Sequence, residues 1–119
     1  MAYLKVGLVG AGVFGGYHAN KIAASAKTRF TGIFDPDQAR AEALAEKHGT
    51  STFKSEADLH ASCDAVLVAC PATYHEAVVE GALQAGLHVL VEKPLALHGA
   101  SAKALAALAD SNRLVLQVG

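Results

Sequence analysis

A chain of 119 residues, 52% of them hydrophobic and 18% charged, is long enough for one domain with its own core. Its formal net charge of −1 offers no electrostatic footprint for nucleic acid or an anionic membrane, so small molecules are the expected partners. No apolar run approaches the ~20 residues of a membrane helix. Neither C-x-x-C nor zinc-type histidine spacing occurs, so no metal is expected, and Cys63 and Cys70 read as free thiols of a reducing compartment.

Leu4 to Val9 is an apolar run that leads straight into Gly10-Ala11-Gly12-Val13-Phe14-Gly15. A strand, a G-x-G-x-x-G turn and a segment of helical spacing together read as the opening of a dinucleotide-binding unit. In that reading Gly10 turns the chain off the strand and Gly12 lets bare backbone approach a pyrophosphate. Gly15 lets the helix lie close against the sheet, and the amides around Val13 and Phe14 face the phosphates at the positive end of a helix that runs through Ala26.

The second strand, Phe30 to Phe34, ends at Asp35, twenty residues beyond Gly15. A carboxylate there accepts hydrogen bonds from the adenosine ribose and repels the extra phosphate of NADP. No arginine occupies the next four positions to offset it, so NAD is expected in preference to NADP. Asp35 also reads as the cap of a helix from Pro36 to His48, which Gly49 stops. Two other readings of this half stay open: a glycine-rich turn that holds no dinucleotide, and an S-adenosylmethionine site, which also pairs a glycine-rich loop with an acid after the second strand.

Ser51-Thr52-Phe53 is a short third strand, and Ser55 opens a short helical turn. Ala65 to Ala69 is a continuous apolar run of the kind found in a strand covered on both faces. Pro71 breaks it, a helix from Thr73 ends at Gly86, and His88 to Val91 is a fifth strand that ends at Glu92-Lys93-Pro94. A last helix, with Ala102, Leu105, Ala106 and Ala109 on one face, closes at Asn112 before a sixth strand, Leu114 to Val118. This alternation predicts an α/β fold: a doubly wound parallel sheet of order 3-2-1-4-5-6 with helices on both faces. The ligand then lies at the carboxyl ends of the first and fourth strands, where loops 10–15, 69–75 and 92–94 converge. Among the histidines, His18 is expected to bond within the first helix and His88 to be a satisfied core residue. His48, His60 and His98 are placed at the surface, and His75 either in the first turn of its helix or on the pocket wall.

Gly10-Ala11-Gly12-x-x-Gly15-x-x-His18 with Asp35, then Cys70-Pro71-x-x-x-His75, then Gly86-Leu87-His88-Val89-Leu90-Val91-Glu92-Lys93-Pro94-Leu95, resembles the glucose–fructose oxidoreductase, inositol dehydrogenase and rhizopine-catabolism family, Gfo/Idh/MocA. The resemblance covers essentially the whole chain, and the Glu92-Lys93-Pro94 element is its most specific part. Cys70 stands where the family usually has threonine, so only backbone contacts carry over there. The resemblance implies that residues 1–119 are a Rossmann-type NAD-binding domain. A C-terminal substrate domain, bearing a family aspartate and histidine and commonly the homo-oligomer interface, is absent from this chain, which by itself is then expected to be inactive.

It implies further that the parent is an NAD(P)-dependent oxidoreductase, moving hydride between nicotinamide and a sugar, polyol or related hydroxyl substrate; from the lack of a leader-like start and of a membrane-length apolar run, a cytoplasmic location is expected. Carried over residue by residue, Gly10, Gly12, Val13, Phe14, Gly15, Asp35, Ala69, Cys70, Pro71, His75, Glu92 and Lys93 contact cofactor. Glu92 reaches the nicotinamide ribose. Lys93 is the catalytic residue of this domain, placed beside the substrate hydroxyl, and the Lys93–Pro94 bond is often cis in the family. Two alternatives accompany this reading: redox-assisted glycoside cleavage with tightly held NAD, and a non-catalytic dinucleotide sensor that needs Asp35 and the glycines but not Lys93.

Overall fold

Apolar strands alternate with helices throughout a computed structural model of the chain that describes residues 3–119. In chain order the elements are β1 (Leu4–Val9), α1 (Val13–Ala24), β2 (Thr28–Phe34), α2 (Gln38–His48), α3 (Glu56–Ala61), β3 (Ala65–Val68), a 3₁₀ turn (Ala72–Tyr74), α4 (His75–Gln84), β4 (His88–Val91), α5 (Gly99–Ser111) and β5 (Leu116–Val118). The five strands form one parallel sheet in the order β2-β1-β3-β4-β5. Successive strand residues supply opposite faces. Val66 and Val68 join the core beneath α4 and α5, whereas Leu67 joins Leu8, Ile33, Ala19, Ile22 and Ala41 beneath α1 and α2. Leu8, Ile33, Val68, Val79 and Val91 are fully buried, each stabilising the fold by about 1.5–3 kcal/mol relative to exposure.

The predicted strand order holds, with one of its six strands reduced to a single bridge. Thr52 pairs only with Ile33, flanked by hydrogen bonds from the Ile33 N–H to the Ser51 carbonyl (2.9 Å) and from the Phe53 N–H to the Ile33 carbonyl (3.0 Å). This bridge lies on the outer side of β2, where the predicted order places the third strand. The segment is short: Gly49 ends α2 in a left-handed conformation, and the Ser55 side chain caps α3 by accepting the Asp58 N–H.

Helix boundaries differ from the sequence reading in physically informative ways. α1 begins at Val13, inside the glycine motif, and ends at Ala24 rather than Ala26. α2 begins at Gln38, and its cap is Asp37, whose carboxylate accepts the Arg40 N–H at 3.2 Å. Asp35, the expected cap, is instead held in an Asx turn by the Asp37 N–H (2.8 Å). His48 and His60, both expected at the surface, have buried Nε2 atoms without a partner among the described residues. His48 packs beside the Phe30 ring, while His60 is buried near Gly81 of α4, where desolvation lowers its pKa. His88 is satisfied as expected, its Nδ1 accepting the Val115 N–H at 3.0 Å, but it is half-buried at the start of β4 and not in the core.

Candidate functional site

β1 lies between β2 and β3, so the connections leaving its carboxyl end and that of β3 diverge to opposite sides and open a crevice between them. A cleft of about 570 Å³ occupies this position, a volume typical of small-molecule sites. Its walls contain Gly10, Gly12, Val13, Phe14, Asp35, Ala69, Cys70 and Pro71. Eight of the sequence-predicted site residues are thus brought together. Gly15, His75, Glu92 and Lys93 are not on this wall, and each occupies a different position.

The glycine loop is fixed by its neighbours. Gly10 adopts φ +108°, and a Cβ there would stand 2.7 Å from the Ala69 carbonyl and the Cys70 nitrogen. Only glycine fits where the β1 loop crosses the end of β3. Gly15 is buried below the cleft, and a Cβ on it would come within 2.0 Å of the Gly10 carbonyl oxygen. The close approach that Gly15 permits is therefore between α1 and its own entry loop, with the Leu8 side chain beyond at 3.8 Å. Gly12 caps α1 without a side-chain hydrogen bond, and the first turn carries no acid. The first-turn amides of Val13 and Phe14, both exposed side chains, are left free at the positive helix end, where an anion is favoured.

Asp35 closes the loop from the β2 side. One carboxylate oxygen accepts the Ala11 N–H at 2.7 Å and the other accepts the Asp37 N–H at 2.8 Å. The remaining lone pairs are available to hydroxyl groups in the cleft. On the opposite wall, burial pushes the Cys70 thiol up to about 11, with Glu56 and Asp35 adding to the rise. That shift favours the neutral thiol of Cys70 over its thiolate. Burial also raises the Glu56 carboxyl.

One strand further on, the end of β4 is tied into the sheet. The Glu92 N–H donates to the Val68 carbonyl (3.1 Å), and the Lys93 N–H donates to the Gly119 carbonyl (3.1 Å). Lys93–Pro94 is cis. The Glu92 carboxylate meets His18 Nε2, so His18 reaches out of α1 instead of bonding within it. Lys93 is exposed and, among the described residues, forms no ion pair. His75, at 2% exposure, lies beneath the site with Nδ1 and Nε2 each 2.7 Å from a carbonyl oxygen, those of Pro94 and Cys70. It fastens the loop after β3 to the loop after β4.

Sequence reasoning missed Arg40 and Tyr74, which also line the cleft. Arg40 is the fifth residue after Asp35, one position outside the window searched, and a guanidinium nitrogen stands 3.6 Å from where a Gly12 Cβ would be. The detectable signal was helical spacing: three residues after the Asp37 cap, a side chain returns to the side of the entry loop.

A family model described as an oxidoreductase family with an NAD-binding Rossmann fold matches residues 4–119. UDP-N-acetylglucosamine 3-dehydrogenase of Acidithiobacillus ferrooxidans is 39% identical over 119 residues, 100% of this chain and 37% of the relative, and its solved structure superposes with a TM-score of 0.95 over 39% of its chain. Inositol 2-dehydrogenase of Corynebacterium glutamicum is 44% identical over 96 residues, 77% of this chain and 28% of that protein. The structure of GenD2 from gentamicin A biosynthesis, in complex with NAD, has 34% identity and a TM-score of 0.97, covering 100% of this chain and 35% of its own. The chain thus spans well under half the length of the relatives it matches.

Proposed function

The chain belongs to the Gfo/Idh/MocA oxidoreductase family with an NAD-binding Rossmann fold, and from that premise we propose that it is the dinucleotide-binding part of a dehydrogenase acting on a hydroxyl of a sugar, nucleotide sugar or polyol. The observation that carries this reading is the set of groups converging on one cleft: uncapped α1 amides above Gly12, the Asp35 carboxylate at the end of β2, and the backbone of Ala69 to Pro71. These groups fit a pyrophosphate and an adenosine ribose, and Asp35 favours NAD over NADP. The named relatives are dehydrogenases of an amino-sugar nucleotide and of inositol, which supports the substrate class.

In this reading the bound nicotinamide supplies the acceptor for the hydride leaving the carbinol carbon. Gly10 and Gly15 hold the entry loop and α1 in the geometry that presents the first-turn amides. The His75 ring sets the spacing between the loops after β3 and β4, and so positions Lys93. The Lys93 ammonium stabilises the alkoxide that develops as the hydroxyl proton departs. A second domain, which the family resemblance implies, would supply the substrate contacts and the residue that finally takes the proton. The test uses the full-length protein with NAD and a panel of sugars, nucleotide sugars and polyols. Dehydrogenase action predicts NADH accumulating in step with a keto product. Turnover without NADH would point to redox-assisted glycoside cleavage instead, and no turnover on any member would count against the substrate class.

A further inference from the structure

His18 is a polar ring on the inward side of its helix. Gly15, Ala19 and Ile22 are the buried residues of α1, and the last two pack with Leu8, Ile33 and Leu67. Helical spacing from Gly15 and Ile22 puts His18 beside that stripe. Its Nε2 meets the carboxylate of Glu92, 74 residues further along the chain and just past the end of β4. A carboxylate only accepts, so Nε2 carries the proton and donates it. With side-chain exposures of 13% and 30%, the two groups are screened less than a surface pair. The contact ties the second turn of the helix that follows the glycine loop to the loop after β4.

The course of a bound dinucleotide follows from the sheet order. Asp35 stands at the β2 side of the crevice and the α1 amides at the end of β1, so the half of the ligand beyond the pyrophosphate runs the other way, past β3 toward β4. Glu92 lies on that side, one strand beyond the cleft wall. Resting on the reading of this crevice as a dinucleotide site, we propose that His18 is a positioning residue: it occupies one carboxylate oxygen of Glu92 and so fixes the other to accept hydroxyls of the nicotinamide-side ribose. Asp35 shows the same device on the opposite side, where two backbone amides hold a carboxylate whose remaining lone pairs are open. A free glutamate side chain gives up its rotamer freedom when a ligand engages it, and a ring donor from α1 removes that cost in advance.

The test is calorimetric measurement of Kd for NAD and for ADP, which keeps the adenosine and pyrophosphate but lacks the nicotinamide-side ribose, with the protein and with H18A, H18Q, E92A and H18A/E92A. H18A is expected to raise the NAD Kd about tenfold and to leave the ADP Kd within about twofold. H18Q, whose amide nitrogen extends to the place of Nε2, should restore most of the NAD affinity. The double variant should bind NAD no more weakly than E92A, because His18 acts through Glu92. An unchanged NAD Kd in H18A overturns the proposal, as do additive losses in the double variant. An equal loss for ADP also overturns it, since that is what a structural role within α1 would produce. If the unmodified protein binds neither ligand, the underlying reading of the crevice fails, a result distinct from loss of the ribose contact.

Discussion

Gly15→Ala is expected to raise the NAD Kd by a hundredfold or more and to lower the thermal stability of the domain by several degrees. The ideal Cβ would stand 2.0 Å from the Gly10 carbonyl oxygen and 2.8 Å from its carbon. Both atoms are backbone, so no side-chain rotation relieves the clash, and either α1 or the loop must shift. Overpacking of this kind costs about 1–3 kcal/mol. The same shift displaces the Val13 and Phe14 amides from the anion position, so stability and binding fail together. Gly16→Ala is the control one residue away. A Cβ there meets nothing within 4 Å, and alanine is favoured over glycine inside a helix by roughly 0.5–1 kcal/mol. Thermal unfolding and titration calorimetry should show this variant at least as stable as the parent, with NAD affinity retained. Wild-type binding by Gly15→Ala would show that the loop is not the phosphate cradle.

Lys93→Ala, made in the full-length enzyme, is expected to reduce kcat by about 10²–10⁴-fold, the usual contribution of a positioned proton-transfer or electrostatic group. Affinity for NAD should stay within threefold, because Lys93 is outside the cleft wall formed by the glycine loop and the 69–71 segment. An exposed lysine beside a glutamate is ordinarily a solvated ion pair of little consequence. Here the Glu92 carboxylate meets His18, Lys93 forms no ion pair among the described residues, and its backbone N–H is held by the carbonyl of Gly119, just past the edge strand, so the side chain is fixed at its base. Steady-state kinetics beside a binding measurement separates the readings. A sensor module predicts no dependence on Lys93, whereas unchanged turnover would remove it from the chemistry altogether.

The parts of this molecule that were legible in the sequence are those written in local chemistry. The β1–loop–α1 unit could be read because a left-handed Gly10 and a Cβ-free Gly15 leave few alternatives to glycine. β3 and β4 could be read from continuous apolar runs. The exact start of α2 could not, since Asp35 and Asp37 flank Pro36 and compete for the cap; the winner is decided by the Ala11 amide, 24 residues away, which helps hold Asp35 out of the helix. The same holds for His18 and Glu92, 74 residues apart, and for His75, whose two carbonyl partners belong to separate loops. Such pairings exist only after the sheet has brought strand ends together. Arg40 differs, because its position on the side of the entry loop follows from helical spacing after the Asp37 cap.

Proposed binding of a dinucleotide in the crevice between β1 and β3 places its contacts on backbone amides of three loops. Amide chemical-shift mapping of the isotopically labelled chain during titration with NAD tests it most directly. Binding in this crevice predicts saturable shifts concentrated at Gly12 to Gly15, at Asp35 to Asp37 and at Ala69 to Cys70, with the far ends of β1 and β3 little changed. Absence of saturable shifts at millimolar NAD, or shifts centred on another surface such as the α3–α4 side around His60 and Ala85, would contradict it.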